Sequence, residues 1–367
     1  MSKIAVLGGG VSGLTSALCL LAQFKDTIGE LTVLASEYPG DYHAPDYTSP
    51  WAGANWYSLA KDSEHLQIQR DKLTYTLLLQ LADREQNSGI KKFHLKTFLQ
   101  KSSILPWFVK EGFVEGLKEL SEEEVKSRKL DPSQIRGFEF VTVSINPTRY
   151  NNYLISQIIN AGGIVRRIKR LDTIDQIVEV MGHIPSLVVN CAGVNAGKLL
   201  REMDPDEQGK VYPVKGQILQ IYEDLPFQVI IEDLPEEDKP SPDQFLNVFP
   251  RPEGGCIVGG LAAKNDYSKD IDPELSSSIL RVMKKHIPEL STATVYNSYV
   301  GFRPGREGGV RIGLSDYSLT RHIGVLKVVH NYGIGGSGYQ SSYGSAMEVC
   351  GYAEKAFSQR PRCPARL

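Results

Sequence analysis

The chain has 367 residues, with 41 lysines and arginines against 43 acidic residues, so its formal net charge is −2. A charge this balanced gives no electrostatic basis for binding nucleic acid or an anionic membrane, and no apolar run reaches the roughly 18 residues of a membrane span. The length predicts about two domains. The five cysteines form no CxxC pair, which argues against a disulfide or zinc framework and for a reducing compartment.

The N-terminal segment predicts a strand, a tight turn, a helix and a second strand. Residues 3–7 are a short apolar run that stops at a glycine-rich turn, so we expect neither a signal peptide nor secretion. Apolar residues then recur at helical spacing from Gly13, and residues 31–34 form a second apolar run. This strand–helix–strand unit is typical of a parallel sheet covered by helices.

Further elements of the same kind follow along the chain. A helix is expected over residues 73–81, and a second helix over 150–161 separates predicted strands at 138–145 and 164–168. Residues 187–191 predict another buried strand that ends in glycine. This strand should lie beside the first unit in one parallel sheet.

Residues 214–259 contain four short apolar runs joined by turns, which predicts an antiparallel sheet inserted into the α/β frame. The acidic stretch 232–244 holds three prolines and predicts a solvated loop of the kind that often forms a lid. A strand over 325–329 and a helix over 345–357 then return to the first domain.

We therefore predict an α/β fold with a doubly wound, Rossmann-like nucleotide-binding domain and a second, mostly antiparallel α+β domain for the substrate. The expected segments are 1–60, 135–200 and 310–360 for the first domain, 61–134 and 201–309 for the second, and 361–367 for a C-terminal tail.

The turn after the first predicted strand fits the pattern GxGxxG through Gly8, Gly10 and Gly13. The first glycine allows a tight turn, the second lets a pyrophosphate approach the backbone, and the third lets helix and strand pack closely. The helix N-terminus then offers free N–H groups to the phosphates. Because the pattern lies between a predicted strand and a predicted helix, it indicates a dinucleotide site.

An acidic residue at the end of the second strand should bind the ribose hydroxyls of such a ligand. Glu37 lies near the expected offset from Gly13, but Ser36 is an equally good candidate for that position and Glu37 would then be solvated.

Residues 330–340 carry four glycines within six positions, directly after a buried strand. This density predicts close approach of backbone amides to a flat ligand. Upstream, Arg303 lies between Phe302 and Pro304 and could offer its planar fork to a carboxylate, although the residues alone favour an ordinary surface arginine. No catalytic triad or metal-ligand spacing is found in the sequence.

Together these segments resemble the D-amino-acid oxidase family, and its fungal members in particular. The resemblance spans nearly the whole chain and rests on four blocks in the family's order. These are Gly8–Gly13, Tyr47–Trp56, Gly301–Arg306 and the segment from Val328 to Gly344.

The resemblance implies non-covalently bound FAD, extended along the first domain. The cofactor contacts that it implies are Gly8, Gly10, Val11, Ser12, Gly13, Ser36, Glu37, Thr48, Ser49, Ala52, Gly53, Ile168, Ala192, Gly193, Arg303, Gly333, Gly335, Gly336, Ser337, Gly338, Tyr339 and Gln340.

The resemblance also implies hydride transfer from a neutral D-amino acid to the flavin, with oxygen as final acceptor and 2-oxo acid, ammonia and hydrogen peroxide as products. Arg303 would pair with the substrate carboxylate, the carbonyl of Gly336 would hold the amino group, and Asn55 would lie at the same centre. Where the family usually has a tyrosine that assists the carboxylate, this chain has Asn247.

Two alternatives remain open. A D-aspartate or D-glutamate oxidase of the same family would need a second cation, for which Lys264 is the candidate, although Ala262 itself is uncharged. The other is a protein of a different class. It would be a flavin- or nucleotide-binding redox protein without oxidase activity, or a nicotinamide dehydrogenase.

The last three residues, Ala365, Arg366 and Leu367, resemble the Ser-Lys-Leu peroxisomal address. We therefore expect a peroxisomal enzyme with the import receptor as a partner. A homodimer is expected as well, with no metal, nucleic acid or membrane partner.

Overall fold

The computed structural model describes residues 1–239 and 243–358, so the C-terminal address lies outside the described residues. The strands are β1 (Ser2–Leu7), β2 (Ile28–Ala35), β3 (Ile90–Gln100), β4 (Lys118–Glu119), β5 (Ile135–Ile145), β6 (Ile164–Arg167), β7 (Leu187–Asn190), β8 (Val211–Ile221), β9 (Phe227–Ile231), β10 (Gln244–Pro250), β11 (Cys256–Leu261), β12 (Ala263–Lys264), β13 (Val295–Arg306), β14 (Arg311–Ser318) and β15 (Val325–Tyr332). The helices are α1 (Val11–Gln23), α2 (His65–Arg84), α3 (Trp107–Lys110), α4 (Glu122–Ser127), α5 (Pro147–Asn160), α6 (Ile177–Met181), α7 (Pro205–Gln208), α8 (Pro273–His286) and α9 (Ser342–Ser358).

A six-stranded sheet forms the first domain, in the order β14–β15–β7–β1–β2–β6. Its strands run parallel except β14, which pairs antiparallel with β15. Helix α1 packs with α5 and α9 on one face, and residues 174–200 cover the other, which is why the central strands β1 and β7 are buried and largely apolar. The carboxyl ends of β1, β2 and β7 meet at one edge, where ligands bind in folds of this type.

The second domain is built on a nine-stranded, mostly antiparallel sheet in the order β12–β8–β11–β10–β9–β3–β5–β4, with β13 also paired to β8. Alternate residues of its strands point to opposite faces. Leu219, Val248 and Val258 pack with α8 in one hydrophobic cluster. Their neighbours in sequence lie on the opposite face, toward the first domain. The two sheets confirm the predicted fold class.

The expected domain boundary at residue 135 is wrong. Strand β5 pairs along its whole length with β3 and so belongs to the second sheet, although the run β5–α5–β6 looks like one strand–helix–strand unit. Both faces of β5 are largely buried, so its apolar pattern resembles that of a parallel strand. The chain therefore passes from one sheet to the other through α5, and the second segment of the first domain begins at α5.

The acidic stretch after β9 is not the freely solvated loop that the sequence predicts. Asp238 is buried and accepts hydrogen bonds from Lys285 at 2.6 Å and from Arg281 at 3.3 Å, and it lies 2.9 Å from Nε2 of His286. Leu234 is buried beside it in the cluster with α8. These contacts hold residues 234–238 against α8, while residues 240–242 of the predicted lid lie outside the described residues.

Candidate active site

A cavity of about 670 Å³ extends from the first turn of α1 to the face of the second sheet opposite α8. Every residue predicted to contact cofactor or substrate lines this cavity, except Gly13, Gly333 and Ser337. Sequence inspection also missed several polar and aromatic wall residues, namely Asp46, Tyr57, Arg170, Asn195, Glu232, Phe245 and Phe249.

The glycine-rich turn at the start of α1 forms one end of the cavity. Gly8 has a φ of +124°, and a β carbon there would lie 2.4 Å from the carbonyl oxygen of Cys191. A β carbon at Gly13 would lie 2.1 Å from the carbonyl oxygen of Gly8, so this glycine serves helix–strand packing and not the wall. Helix α1 begins at Val11, whose amide donates to Oγ of Ser49 at 3.0 Å. The turn therefore has the shape and the N–H donors that a pyrophosphate requires.

Ser36 and Glu37 both line the cavity beyond the end of β2, and the Ser36 hydroxyl donates to the Glu37 carboxylate. Arg170 bridges Glu37, at 2.6 Å, and Asp46. Burial opposes ionisation of Asp46, but hydrogen bonds from Arg170 and Asn195 lower its pKa. Lys169 also lines this end of the cavity, so the wall where the adenosine is expected carries two acidic and two basic side chains. The carboxyl ends of parallel strands lie at one edge of the sheet. The position of Arg170 just past the end of β6 could therefore have predicted that its side chain lies at this edge.

Asn55 presents an unsatisfied donor at the middle of the cavity. Its Nδ2 atom is buried and has no hydrogen-bond partner within the described part of the chain. A buried amide normally finds a partner, because leaving it unpaired costs free energy. This orphaned donor, together with the glycine turn, fits a bound dinucleotide with polar ring atoms such as FAD.

The second sheet supplies the other wall through alternate residues of five neighbouring strands. Besides Pro304 and Gly260, the wall residues on β13, β8, β11, β10 and β9 are Gly301 and Arg303; Val214, Gly216 and Ile218; Ile257 and Gly259; Phe245, Asn247 and Phe249; and Ile230, followed by Glu232. Their period of two marks them as one face of the sheet.

Arg303 lies on this face without an acidic partner among residues 1–239 and 243–358. Its Nη1 atom donates to the carbonyl oxygen of Leu261 at 2.9 Å, and burial lowers the pKa of its guanidinium. Arg306, three residues later, pairs instead with Glu207 through contacts of 2.7 and 3.1 Å. The two arginines of this block therefore have different partners, and Arg303 is the one available to a carboxylate ligand.

Glycines let side chains lie flat on the sheet at this point. A β carbon at Gly216 would lie 2.6 Å from Nη1 of Arg303, and one at Gly259 would lie 2.6 Å from Oδ1 of Asn247. Both polar side chains therefore lean over the β8–β11 pair from opposite sides. Asn247 thus lines the same wall of the cavity as Arg303.

The glycine-rich segment after β15 closes the cavity above Arg303. A β carbon at Gly336 would lie 3.5 Å from Cδ of Arg303, and the Gly335 amide donates to the carbonyl of Pro304 at 2.8 Å. Gly333 has a φ of +77° and packs against Arg306, while the Ser337 carbonyl accepts from Ser341. Gly333 and Ser337 therefore shape this segment without lining the cavity.

Lys264, the candidate second cation, does not line the cavity. Its ammonium lies 4.5 Å from the ring centroid of Tyr212, in a cation–π arrangement. Among the described wall residues, the cations are Arg303 at the sheet and Lys169 and Arg170 near the end of β6.

Comparison with known proteins agrees with this geometry. A family model described as FAD dependent oxidoreductase (DAO) matches residues 3–351. The chain is 31% identical to a D-amino-acid oxidase of Schizosaccharomyces pombe, over 94% of each chain. It is 30% identical to a D-amino-acid oxidase of Fusarium vanettenii, over 96% of this chain and 97% of that relative. Its fold is similar to the crystal structure of glycine oxidase from Bacillus cereus, with a TM-score of 0.70, 16% identity, and coverage of 98% of this chain and 96% of the other.

Proposed function

Since this chain belongs to the DAO family of FAD-dependent oxidoreductases, we propose that it oxidises D-amino acids with uncharged side chains to 2-oxo acids. The net reaction consumes one oxygen and one water for each amino acid and yields ammonia and hydrogen peroxide. Bound FAD supplies the acceptor for the two electrons. The observation that carries the proposal is the guanidinium of Arg303 beside Gly336, which has no acidic partner among the residues that the structure describes and lies on the wall of a cavity that begins at a glycine-rich turn.

Arg303 binds the substrate carboxylate in this proposal. A planar guanidinium offers two parallel N–H donors, and enclosure on the cavity wall strengthens the pair relative to one in water. Asn247 leans toward the same place and can add an amide hydrogen bond. These contacts fix the carboxylate end of the substrate.

The carbonyl of Gly336 receives the substrate amino group in this proposal. With the carboxylate and the amino group both held, the remaining bonds of the α-carbon have fixed directions. The protein then contributes orientation, for which effective molarities are large, and the redox chemistry belongs to the cofactor. Asn55 would donate its unpaired N–H to a ring atom of that cofactor.

An acidic substrate preference is disfavoured by the charges on the wall. A dicarboxylate would need a cation besides Arg303, but Lys169 and Arg170 lie at the other end of the cavity and Lys264 is outside it. Peroxide release from D-alanine, D-methionine and D-aspartate, with the L-isomers as controls, tests the proposal. We expect the first two to be oxidised faster than D-aspartate. A clear preference for D-aspartate would overturn the substrate assignment, and no peroxide with any D-amino acid would favour a redox protein without oxidase activity.

We also propose that the protein is imported into peroxisomes through Ala365, Arg366 and Leu367. The support is the similarity of these residues to the Ser-Lys-Leu address and the expected release of peroxide. Fusion of residues 361–367 to a fluorescent protein should direct it to peroxisomes in a cell that has the import receptor. A cytosolic distribution would contradict this proposal.

A homodimer is proposed on the family resemblance. Sedimentation of the FAD-loaded protein should then give about twice the 40.7 kDa mass of one chain. A single species of one chain's mass would contradict it.

A further inference from the structure

The substrate side of the cavity contains one carboxylate whose charge the protein leaves unbalanced. Glu232 follows β9 directly and lines the cavity. The other acidic wall residues in the described part of the chain, Glu37 and Asp46, are both paired with Arg170. For Glu232, residues 1–239 and 243–358 provide no basic partner within ion-pair distance.

The Glu232 carboxylate is held in place although it lacks a counterion. The buried hydroxyl of Tyr57 donates to it, and that hydroxyl also lies 3.2 Å from Oγ1 of Thr97 on β3. Burial raises the pKa of Tyr57 well above its usual value, so the phenol stays protonated and remains a donor. Glu232 is exposed and lines the cavity, and partial desolvation together with the nearby Asp233 raises the pKa of its carboxyl. A cationic ligand beside this carboxylate would favour its ionised form and supply the counterion that the described residues do not provide.

The separation between Glu232 and Arg303 sets the length of a ligand that can contact both residues. The Arg303 guanidinium lies over β8, and β9 is three strands away through β11 and β10. With strands ~4.8 Å apart, this separation is roughly 14 Å between backbones. The strand pairs Leu261–Gln244 and Leu246–Ile231 place both groups at nearly the same level of the sheet.

The wall between the two groups is largely apolar. Phe245 and Ile230 line it on β10 and β9, so a methylene chain would bury its surface there. An amino acid held by its carboxylate on Arg303 would extend a side chain of four or so carbons along this wall, toward Glu232.

We propose that Glu232 binds the cationic end of the substrate side chain, so that D-amino acids with a long side chain ending in an ammonium or guanidinium group are preferred substrates. The inference rests on the proposed function and extends its substrate class from uncharged to cationic side chains. Tyr57 acts as the positioning residue for the carboxylate.

Two carboxylic acids that lack an α-amino group, and therefore cannot be oxidised as amino acids, test this inference by binding alone. 6-Aminohexanoate has the same separation of carboxylate and ammonium as lysine, and hexanoate lacks only the ammonium. Calorimetric titration of the FAD-loaded protein should show at least tenfold tighter binding of 6-aminohexanoate. In Glu232→Gln the two affinities should agree within about twofold. Asp233→Asn is the matched control, because Asp233 accepts from the Gln100 amide and Ser103 and does not line the cavity, and it should keep the tenfold preference.

Turnover gives the second measurement. The ratio of kcat/KM for D-lysine to that for D-norleucine should exceed 10 in the wild type and should fall at least tenfold in Glu232→Gln. Equal binding of the two acids, absence of binding, or an unchanged ratio in Glu232→Gln would each overturn the inference. Peroxide release from D-alanine without a cation preference would refute the inference and leave the proposed function standing. A cation preference in binding without oxidation of any D-amino acid would refute the proposed function alone.

Discussion

The guanidinium of Arg303 rests directly on Gly216, where a β carbon would lie 2.6 Å from Nη1 and 2.9 Å from Nη2. Gly216 lies in the extended strand β8, where any residue could adopt its backbone conformation. A glycine is needed here because a side chain would occupy the space of the guanidinium. The contact involves the mobile end of a long side chain, which can move aside. A methyl group at this position would therefore displace the guanidinium more than it would strain the fold.

Gly216→Ala should consequently reduce kcat/KM for D-alanine by about 10- to 100-fold, as expected when a binding group is misplaced by about 1 Å. Its thermal midpoint should stay within a few degrees of the wild type. Gly209→Ala is the matched control, since its φ is −79° and a β carbon there meets nothing within 4 Å. Equal kinetics for the two variants would show that Arg303 does not hold the substrate from its present position.

The two arginines of the Gly301–Arg306 block should separate function from stability. Arg303→Ala removes a partly buried cation that has no acidic partner within residues 1–239 and 243–358, so KM should rise by roughly 30-fold or more while the free energy of unfolding changes little. Arg306→Ala leaves Glu207 with only part of its partners and should lower the free energy of unfolding by about 1–3 kcal/mol. Steady-state kinetics and urea unfolding of both variants check this, and a large loss of stability in Arg303→Ala would contradict it.

Most of the fold was predictable because its signals are local. The strand–glycine turn–helix at Gly8 and the strand before Gly333 carry their own periodicity and turn chemistry. Strand β5 was assigned to the wrong sheet because burial on both faces gives antiparallel and parallel strands the same apolar pattern.

The side-chain end of the cavity could not be predicted in the same way. Tyr57 and Glu232 are 175 positions apart in the sequence. They meet because β3 pairs with β9, and the loop after Asn55 lies against the end of this strand pair. The pairing of Arg306 with Glu207 likewise joins residues 99 positions apart in the sequence, because Glu207 lies on α7. The sequence signal that could have revealed Glu232 is its position as an acidic residue directly after the apolar run 229–231.

Asn55→Ala should weaken FAD binding while sparing the fold. The Nδ2 atom of Asn55 has no partner within residues 1–239 and 243–358, so the FAD-free variant loses no hydrogen bond there and should unfold at nearly the wild-type midpoint. If the amide donates to the cofactor, the dissociation constant for FAD should rise by about tenfold, in line with one hydrogen bond of roughly 1.4 kcal/mol. Quenching of flavin fluorescence on titration measures this constant, and an unchanged value would remove Asn55 from the cofactor site.

Asp71 couples the glycine-rich segment after β15 to helix α2. It is fully buried and accepts hydrogen bonds from Ser58 at 2.6 Å, Gln67 and Ser341 at 2.8 Å, and Gln340 at 3.3 Å. Burial raises the pKa of Asp71 to about 6, against the opposing effect of these donors. The folded protein therefore holds the Asp71 proton more tightly than the unfolded chain does.

Because the pKa of Asp71 is higher in the folded state, its protonation stabilises the protein below about pH 4, and this contribution is lost as the pH rises through about 6. Asp71→Asn has no proton to lose. The wild type minus Asp71→Asn difference in the free energy of unfolding should therefore fall by roughly 2 kcal/mol between pH 4 and pH 7. Urea unfolding at several pH values with one saturating FAD concentration measures the difference, since effects of other titrating groups and of the cofactor cancel in it. A difference that stays constant over this range would mean that Asp71 is ionised in the folded protein throughout, with its four donors outweighing the cost of burial.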